Sequence, residues 1–407
     1  MLRMVRSISL KKQGDDMRRS LAVAVSIATV ATSLLGSAVS ASTPKPAFPA
    51  IVGNGSSFQG NWEAACIAKF NAKTPTGYST AGNVSYTVSS SGTGMGAFNS
   101  GTADFAGTDA PDFTKTPKDG GNPIAVPITA AAVGFIYNVQ DASGSLIKGL
   151  KFTPALLDAI YKGTVTYWDA DAIQLANGAK WVAATRTKAG YWKGGMAAKL
   201  QHTPISVNVR ADGSGTTKNL NLYMAANVPS GNWNTAGSKN WGSGSGLTVT
   251  SGSIADVTKR ANSDAMVQAV KATNGAFGYA DAPDAVTAVS NNDVAFGKLL
   301  NVHGEFELPS AGTGTRLIDN AKALTGITTN GFLSSSESVG LFSVDAPGAY
   351  QLTVISYVMG STANTDKNTA VKSYLTYALK SCQGAGGFVG LTKDLVAIAN
   401  AQVAKLG

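Results

Sequence analysis

The chain reads Arg-Ala-Asp-Gly-Ser-Gly-Thr-Thr-Lys over residues 210–218. Residues 205–209 before this stretch alternate and are β-branched, while residues 219–226 after it favour a helix. The pattern therefore predicts a turn that joins a strand to a helix. Ser214 is placed to cap that helix, whose first backbone N–H groups have no partners within the helix itself.

Three features of this turn suit an anion. Gly213 and Gly215 lack a Cβ, so the main chain can approach a ligand closely. The positive end of the helix dipole points at the turn. Arg210 adds a guanidinium whose fork of donors matches a tetrahedral oxyanion. The stretch lacks the Gly-Lys-Ser/Thr sequence of a Walker loop, and an ordinary surface turn is the alternative interpretation of Gly-Ser-Gly-Thr taken alone.

Two more turns rich in glycine and serine precede predicted helices. One reads Gly-Asn-Gly-Ser-Ser-Phe-Gln at residues 53–59, and the other reads Ser-Ser-Ser-Gly-Thr-Gly at residues 89–94. Asp109 follows a short apolar strand predicted at residues 104–107. Each feature alone is more typical of scaffold than of a site. Hydroxyl-rich helix starts combined with one arginine and one aspartate strengthen the prediction of an oxyanion site.

The first 41 residues have the features of a cleavable signal peptide. Two arginines precede an uncharged apolar run over residues 21–35, and small residues at the end of the segment predict cleavage after Ala41. The start is Met1 or Met17, since Met17 alone opens a signal peptide of ordinary length. An N-terminal membrane anchor is the alternative, although the apolar run is short for a span. No cysteine stands at the cleavage point, so we expect a periplasmic chain without a lipid anchor.

The charge balance fits a small anion as ligand. Removing the signal peptide lowers the formal net charge from +9 to +5. Charged residues make up 14% of the chain, against roughly 25% in average domains. The sequence contains no basic block with interleaved aromatic residues, so nucleic acid is not an expected partner. With two histidines in total, neither a metal site nor a cofactor is predicted.

Cys66 and Cys382 are the cysteines of this sequence. Export makes a disulfide between them the expected state, with two buried free thiols as the alternative. Cys66 lies in a predicted helix at residues 62–70, and Cys382 follows another at residues 369–380. A bond between them would place the two ends of the exported chain in one domain.

The chain is long enough to need more than one core. Without the signal peptide, the 407-residue sequence still exceeds a comfortable single core, which predicts two domains. Short apolar or alternating runs recur between helix-like ones and indicate an α/β fold. Residues 125–139 have the pattern of a buried strand that could carry the chain from one lobe to another. Residues 183–202 and 229–253 are rich in glycine and polar residues, and we expect them to be surface excursions.

Taken together, these motifs resemble those of the substrate-binding proteins of phosphate ABC transporters. The stretches that carry the resemblance are residues 53–58, 91–94, 104–111, 161–163, 167–169, 210–216 and 275–279. They follow one another in order over most of residues 48–380. The sequence Arg-Ala-Asp-Gly-Ser-Gly-Thr is the most specific part of the match.

The resemblance implies an α/β, two-lobed periplasmic-binding-protein fold of type II, with the ligand in the interlobe cleft. Lobe one would comprise residues 48–137 and 345–407, and lobe two residues 138–344. Both cysteines would then lie in lobe one, which is consistent with a disulfide.

The resemblance also implies a set of phosphate-binding residues. They are Ser57, the backbone N–H of Phe58, Ser91, Asp109, Arg210, Ser214, Gly215 and Thr216. Asp212 would orient Arg210 through an ion pair. Ser57 stands where the family commonly has threonine, and the role of Ser91 could fall on another serine of residues 89–91. Asp109 would provide selectivity, because its carboxylate accepts a proton carried by phosphate and repels sulfate, which carries none at neutral pH.

We therefore expect an exported, monomeric solute-binding protein that captures inorganic phosphate, delivers it to a membrane-embedded ABC permease and catalyses no reaction. A binder of another tetrahedral oxyanion, such as a phosphonate, arsenate or sulfate, is the alternative within the same class. A secreted phosphatase with a serine nucleophile is a second alternative, although the sequence offers neither a paired base nor a metal set. A surface protein on the same fold is a third, suggested by the glycine-rich excursions.

Overall fold

The computed structural model describes residues 43–228, 233, 237–241, 257–321, 331–333 and 340–407. Lys45–Gly407 form one compact unit. The expected signal peptide, residues 1–41, lies outside the described residues. Within the described ranges, no helix combines the length and the apolar character that crossing a bilayer requires.

Strands and helices are interspersed along the chain, as expected for the predicted α/β class. The strands are β1 Ile51–Ser56, β2 Val84–Ser89, β3 Phe105–Thr108, β4 Pro123–Asn138, β5 Lys151–Phe152, β6 Lys180–Val182, β7 Tyr191–Lys193, β8 Ser206–Arg210, β9 Thr258–Arg260, β10 Ala276–Asp281, β11 Ala295–Phe296, β12 Lys298–Leu300, β13 Phe306–Glu307 and β14 Thr353–Ser361. The helices are α1 Gly60–Asn71, α2 Ser91–Ser100, α3 Pro154–Tyr161, α4 Asp171–Ala176, α5 Gly215–Asn227, α6 Ser263–Ala272, α7 Ala282–Ser290, α8 Ala311–Asn320, α9 Asp366–Ser381 and α10 Lys393–Val403.

One mixed sheet connects most of these strands, in the order β2-β1-β3-β14-β4-β10-β8-β9, with β11 beside β4. At one end, β1 runs parallel to both β2 and β3. At the other end, β8 runs parallel to both β10 and β9. Parallel neighbours bring the carboxyl ends of their strands to the same edge of a sheet, which is where α/β proteins place their ligands.

The long strand β4 joins the two ends of this sheet. Its residues from Pro123 to Ala132 pair with β14, and those from Val133 to Asn138 pair with β10. Every residue of β4 after the first is buried, because neighbouring elements cover both of its faces. Such burial accounts for the near-continuous apolar run that predicted a strand at residues 125–139.

The predicted disulfide is present. Cys66 on α1 is bonded to Cys382, which immediately follows α9. Trp62, also on α1, donates its indole N–H to the carbonyl oxygen of Cys382 at 3.0 Å. The bond therefore fixes the first helix of the compact unit to one of its last, and the alternative of two free thiols is wrong.

The two expected surface excursions differ from one another. In the first, β6 and β7 form an antiparallel hairpin that leaves Trp181 55% exposed. Most of the second, residues 229–253, lies outside the described residues. Its described Trp233 and Trp241 are buried, with ring centroids 6.1 and 5.0 Å from that of Tyr161. The expectation of a surface position is thus wrong for these two residues, since their large apolar rings pack into the core.

Candidate anion-binding site

The hydroxyl-rich turns of the sequence lie where helices begin, as predicted. Ser57 starts a short 3-10 helix directly after β1. Ser90 caps α2, so that Ser91 occupies the first position of that helix. Ser214 caps α5, which begins at Gly215, and its side chain accepts a backbone N–H of the first turn at 3.2 Å. The predicted capping role of Ser214 is therefore confirmed.

The predicted anion ligands are buried in this structure. Ser57 is the most exposed of their side chains, at 6%. Phe58, Asp109 and Arg210 are 0%, 4% and 2% exposed. A buried arginine and a buried aspartate require partners, so the contacts of Arg210 and Asp109 define the polarity of the site.

Arg210, at the end of β8, is held by Asp212 and directed at two serines. Its Nε and Nη2 atoms donate to the two carboxylate oxygens of Asp212 at 2.8 and 2.6 Å. Its Nη1 donates to Ser263 Oγ at 3.2 Å, and its Nη2 to Ser57 Oγ at 3.3 Å. Burial acts to lower the pKa of Arg210, but the hydrogen bonds and charge of Asp212, together with smaller contributions from Asp281 and Tyr279, outweigh it and raise the pKa. The guanidinium is thus a fixed cation that faces hydroxyl groups.

Asp109 follows β3 and is surrounded by serine hydroxyls. Ser56 Oγ donates to its Oδ2 atom at 2.5 Å, Ser91 Oγ donates to the same oxygen at 3.4 Å, and Ser356 Oγ donates to Oδ1. The register of β14 against β4 shifts between Ser356 and Tyr357, and such bulges re-aim side chains. Burial raises the pKa of Asp109, while these hydroxyls and Arg210 act to lower it.

Two distant parts of the sequence meet at this site. The backbone N–H of Gly92 donates to the carbonyl oxygen of Gly213 at 2.9 Å. A Cβ placed on Gly215 would lie 2.5 Å from Ser91 Oγ and 2.8 Å from Asp109 Oδ2. A side chain at this position would collide with both groups. The absence of a Cβ at Gly215 is therefore what allows the start of α5 to approach Asp109.

The structure also differs in detail from the predicted set. The N–H of Phe58, predicted to bind the anion, donates to Ser56 Oγ at 3.2 Å. Ser91, rather than its neighbours in residues 89–91, is the serine beside Asp109, because Ser90 is occupied in capping α2. Ser91 is thus the serine of this run that lies beside Asp109, and its role as a phosphate ligand stays a prediction.

Four polar residues of the site were missed by the sequence-based prediction: Ser56, Ser263, Asp281 and Ser356. Asp281 ends β10 and is 0% exposed. Burial and the charge of Asp109 raise the pKa of Asp281 to about 7, while Arg210 acts to lower it. A carboxylate at the end of a buried strand is the signal that identified Asp109, and the same signal could have identified Asp281.

The site combines donors with acids. Helix-start amides, hydroxyls and Arg210 favour an anion, whereas Asp109, Asp212 and Asp281 contribute negative charge. Such a site suits an oxyanion that brings a proton. Among the described residues, no three His, Cys, Asp or Glu side chains form a group able to hold a metal ion.

Comparisons with known proteins identify the family of this chain. The PBP superfamily domain matches residues 39–381. The phosphate-binding protein PstS of Methanocaldococcus jannaschii is 26% identical over 335 residues, which are 77% of this chain and 77% of that protein. The phosphate-binding protein PstS 3 of Mycobacterium tuberculosis is 23% identical over 326 residues, 76% of this chain and 75% of that one.

A solved structure shows the same fold. It is that of PfluDING, a high-affinity periplasmic phosphate-binding protein bound with phosphate, and it matches with a TM-score of 0.61 and 17% identity over 87% of this chain and 93% of that one. The α/β, two-lobed architecture expected from the sequence is therefore confirmed. The chain belongs to the PBP superfamily, in which its relatives are PstS-type phosphate-binding proteins.

Proposed function

We propose that this protein captures inorganic phosphate in the site around Arg210 and Asp109 and delivers it to an ABC permease. Residues 48–137 with 345–407 would form one lobe of the cleft, and residues 138–344 the other. The observation that carries the proposal is the buried Arg210, which is held by Asp212 and directed at Ser57, near a carboxylate enclosed by hydroxyls. The names of the relatives support the same ligand.

The hydrogen bonds of Asp109 favour phosphate over sulfate. Ser56 and Ser91 share its Oδ2 atom, whereas Ser356 is the hydroxyl that donates to Oδ1. A carboxylate oxygen has two lone-pair directions, so Oδ1 retains capacity to accept a proton from a ligand. Hydrogen phosphate has such a proton and sulfate does not. An unprotonated anion at this point would meet the uncompensated negative charge of Asp109.

Transport rather than catalysis fits the chemistry of the site. No histidine is among the polar contacts of Ser57, Ser91 or Ser214 described above, so none of these contacts is the serine–histidine pair that activates many nucleophiles. The relatives are named as binding proteins. A cleaved segment over residues 1–41 would place a monomeric chain in the periplasm, where it could present phosphate to a membrane-embedded permease.

Isothermal titration of the phosphate-freed protein with phosphate, and separately with sulfate, tests the proposal. We expect phosphate binding and no heat with sulfate. Arg210→Ala should weaken phosphate binding by at least ~100-fold, because two charge-assisted hydrogen bonds are lost. Arg186→Ala is the matched control, since Arg186 is exposed on the loop between β6 and β7, and it should bind like the wild type.

Asp109→Asn tests selectivity separately from affinity. An amide can donate a hydrogen bond where the carboxylate can only accept one, so this variant should gain sulfate binding and lose at least about tenfold of its preference for phosphate. Equal binding of both anions by the wild type would favour a general oxyanion receptor. No binding of phosphate at all, or hydrolysis of a phosphate ester by the pure protein, would contradict the proposed function.

A further inference from the structure

Asp281 is a buried carboxylate directly behind a predicted phosphate ligand. It occupies the N-cap position of α7, yet its side chain makes no capping hydrogen bond. Instead, it accepts hydrogen bonds from Ser263 Oγ at 2.8 Å and from Thr216 Oγ1 at 3.2 Å. Thr216 belongs to the predicted ligand set, and Ser263 lies 3.3 Å from Ser57 Oγ. The state of Asp281 therefore controls which atoms these hydroxyls present to an anion.

The direction of the two hydrogen bonds has a chemical consequence. A hydroxyl has a single proton, so Thr216 and Ser263 turn their protons away from the cleft while they donate to an ionised Asp281. Only oxygen lone pairs then remain for an incoming anion, and these repel it. If Asp281 is protonated, it donates to one of the two hydroxyls. That hydroxyl is released to donate its own proton to the anion.

The charged groups around Asp281 disfavour its ionised form when an anion binds nearby. Asp109 and Arg210 act on Asp281, and the charges of Asp281 and Asp264 raise the pKa of its neighbour Asp284. The negative charges of Asp281 and Asp284 therefore oppose each other. Asp212 forms an ion pair with the Arg210 guanidinium, and the backbone N–H of Arg210 donates to the hydroxyl oxygen of Tyr279 at 3.2 Å. The single cation in this set is already paired with Asp212. Each further negative charge therefore favours protonation of a buried carboxylate.

We infer that Asp281 takes up a proton from solvent when phosphate binds and thereby makes the affinity for phosphate depend on pH; this inference rests on the proposed function. The proton moves from water or buffer to a carboxylate oxygen of Asp281. The hydrogen bond from Thr216 or Ser263 then reverses, and the released hydroxyl proton is donated to a phosphate oxygen. Binding and protonation are reciprocally linked, so phosphate affinity falls as pH rises through the titration of Asp281.

The pKa of about 7 for Asp281, raised by burial and by Asp109, places this titration in the neutral range. Near that pH, about half of the unliganded protein has the proton. Well below it, the proton is already present and binding takes up none. The largest uptake is therefore expected from neutral to mildly alkaline pH.

Asp281→Asn is the decisive variant, because an asparagine amide donates to one hydroxyl and accepts from the other, as the protonated acid does. Phosphate is titrated at several pH values from about 5 to about 9, each in two buffers of different ionisation heat, so that the number of protons taken up is measured directly. We expect the wild type to take up more protons than Asp281→Asn. One pH unit above the pKa, the variant should bind phosphate about tenfold more tightly than the wild type.

Two further variants keep the test decisive. Asp319→Asn is the matched control, since Asp319 is an exposed aspartate on α8; its proton uptake should stay like that of the wild type. Ser263→Ala retains the carboxylate but removes one donor to its charged form, so its uptake should extend to higher pH.

Two results would overturn the inference. Equal proton uptake and equal pH dependence in the wild type and Asp281→Asn, with phosphate bound by both, would contradict the role of Asp281 alone. Loss of the uptake in Asp319→Asn would contradict it as well. No phosphate binding by the wild type at any pH would contradict the proposed function as well.

Discussion

Glu63 should make the folded protein less stable as pH rises towards 8. This residue lies on α1, is 0% exposed, and accepts a hydrogen bond from the hydroxyl of Tyr374 at 2.5 Å. Its Oε1 atom has no hydrogen-bond partner in the part of the chain that the structure describes. Burial raises the pKa of Glu63 from 4.5 to about 8, although the hydrogen bond from Tyr374 acts to lower it. Burial therefore favours the neutral form of this carboxyl group in the folded protein.

The sign follows from proton binding. Between the two pKa values, folded Glu63 retains a proton that the unfolded chain has released, so the free energy of unfolding falls with increasing pH. The stabilisation is complete below the unfolded pKa of 4.5 and is lost as pH approaches about 8. At about 1.4 kcal/mol for each tenfold change in the equilibrium, the loss is on the order of 5 kcal/mol.

Glu63→Gln should remove this loss, because the amide is uncharged at every pH and has nearly the same volume. Urea unfolding of the wild type and the variant at about pH 5 and about pH 8 provides the test. The variant should gain stability relative to the wild type at the higher pH by several kcal/mol. Comparing the two proteins isolates Glu63 from the other acids that titrate in this range.

Glu307→Gln is the control, since Glu307 is only half-buried on β13 and should change little between the two pH values. A difference between wild type and Glu63→Gln that is the same at both pH values would refute the reasoning. It would mean that Glu63 is ionised in the folded protein, or that the fold opens around it at little cost.

Two further predictions concern the site and the disulfide. Gly215→Ala should weaken phosphate binding about tenfold or more in an isothermal titration, because the added Cβ would lie 2.8 Å from Asp109 Oδ2. Gly312→Ala is the control, since the nearest atom to its added Cβ would be 3.9 Å away, and it should bind phosphate like the wild type. Replacing both Cys66 and Cys382 by alanine should lower the free energy of unfolding by about 3 to 5 kcal/mol, because the bond closes a sequence separation of 316; an unchanged thermal midpoint would contradict this.

The parts of the site that could be predicted are those with a local signal. Ser214 caps α5 because a small hydroxyl residue precedes a helix-favouring run, and both features are visible within a few residues. Arg210 and Asp212 are close in sequence, so their ion pair needs no long-range contact. The burial of residues 125–139 also follows from an uninterrupted apolar run.

Ser356 could not have been found in this way. It lies inside β14, in a buried apolar strand with no turn or cap beside it. It reaches Asp109 because β14 pairs with both β3 and β4 and changes register next to Ser356. Pairing between strands so far apart in sequence depends on the whole sheet, and a single sequence does not reveal the register.

Asp281 lies between these two cases: its place at the end of a strand has a local signal in the sequence, but its neighbours across the sheet do not. It ends β10, which runs parallel to β8, so the sheet brings Asp281 to the same edge as Arg210. Asp109 and Asp281 each accept hydrogen bonds from several hydroxyl groups. While a hydroxyl donates to one of these carboxylates, it cannot donate the same proton to a ligand. A site built only from Arg210 and helix starts would accept any tetrahedral anion of the right size. Adding two buried carboxylates reduces the attraction for every anion, but least for one that brings a proton of its own.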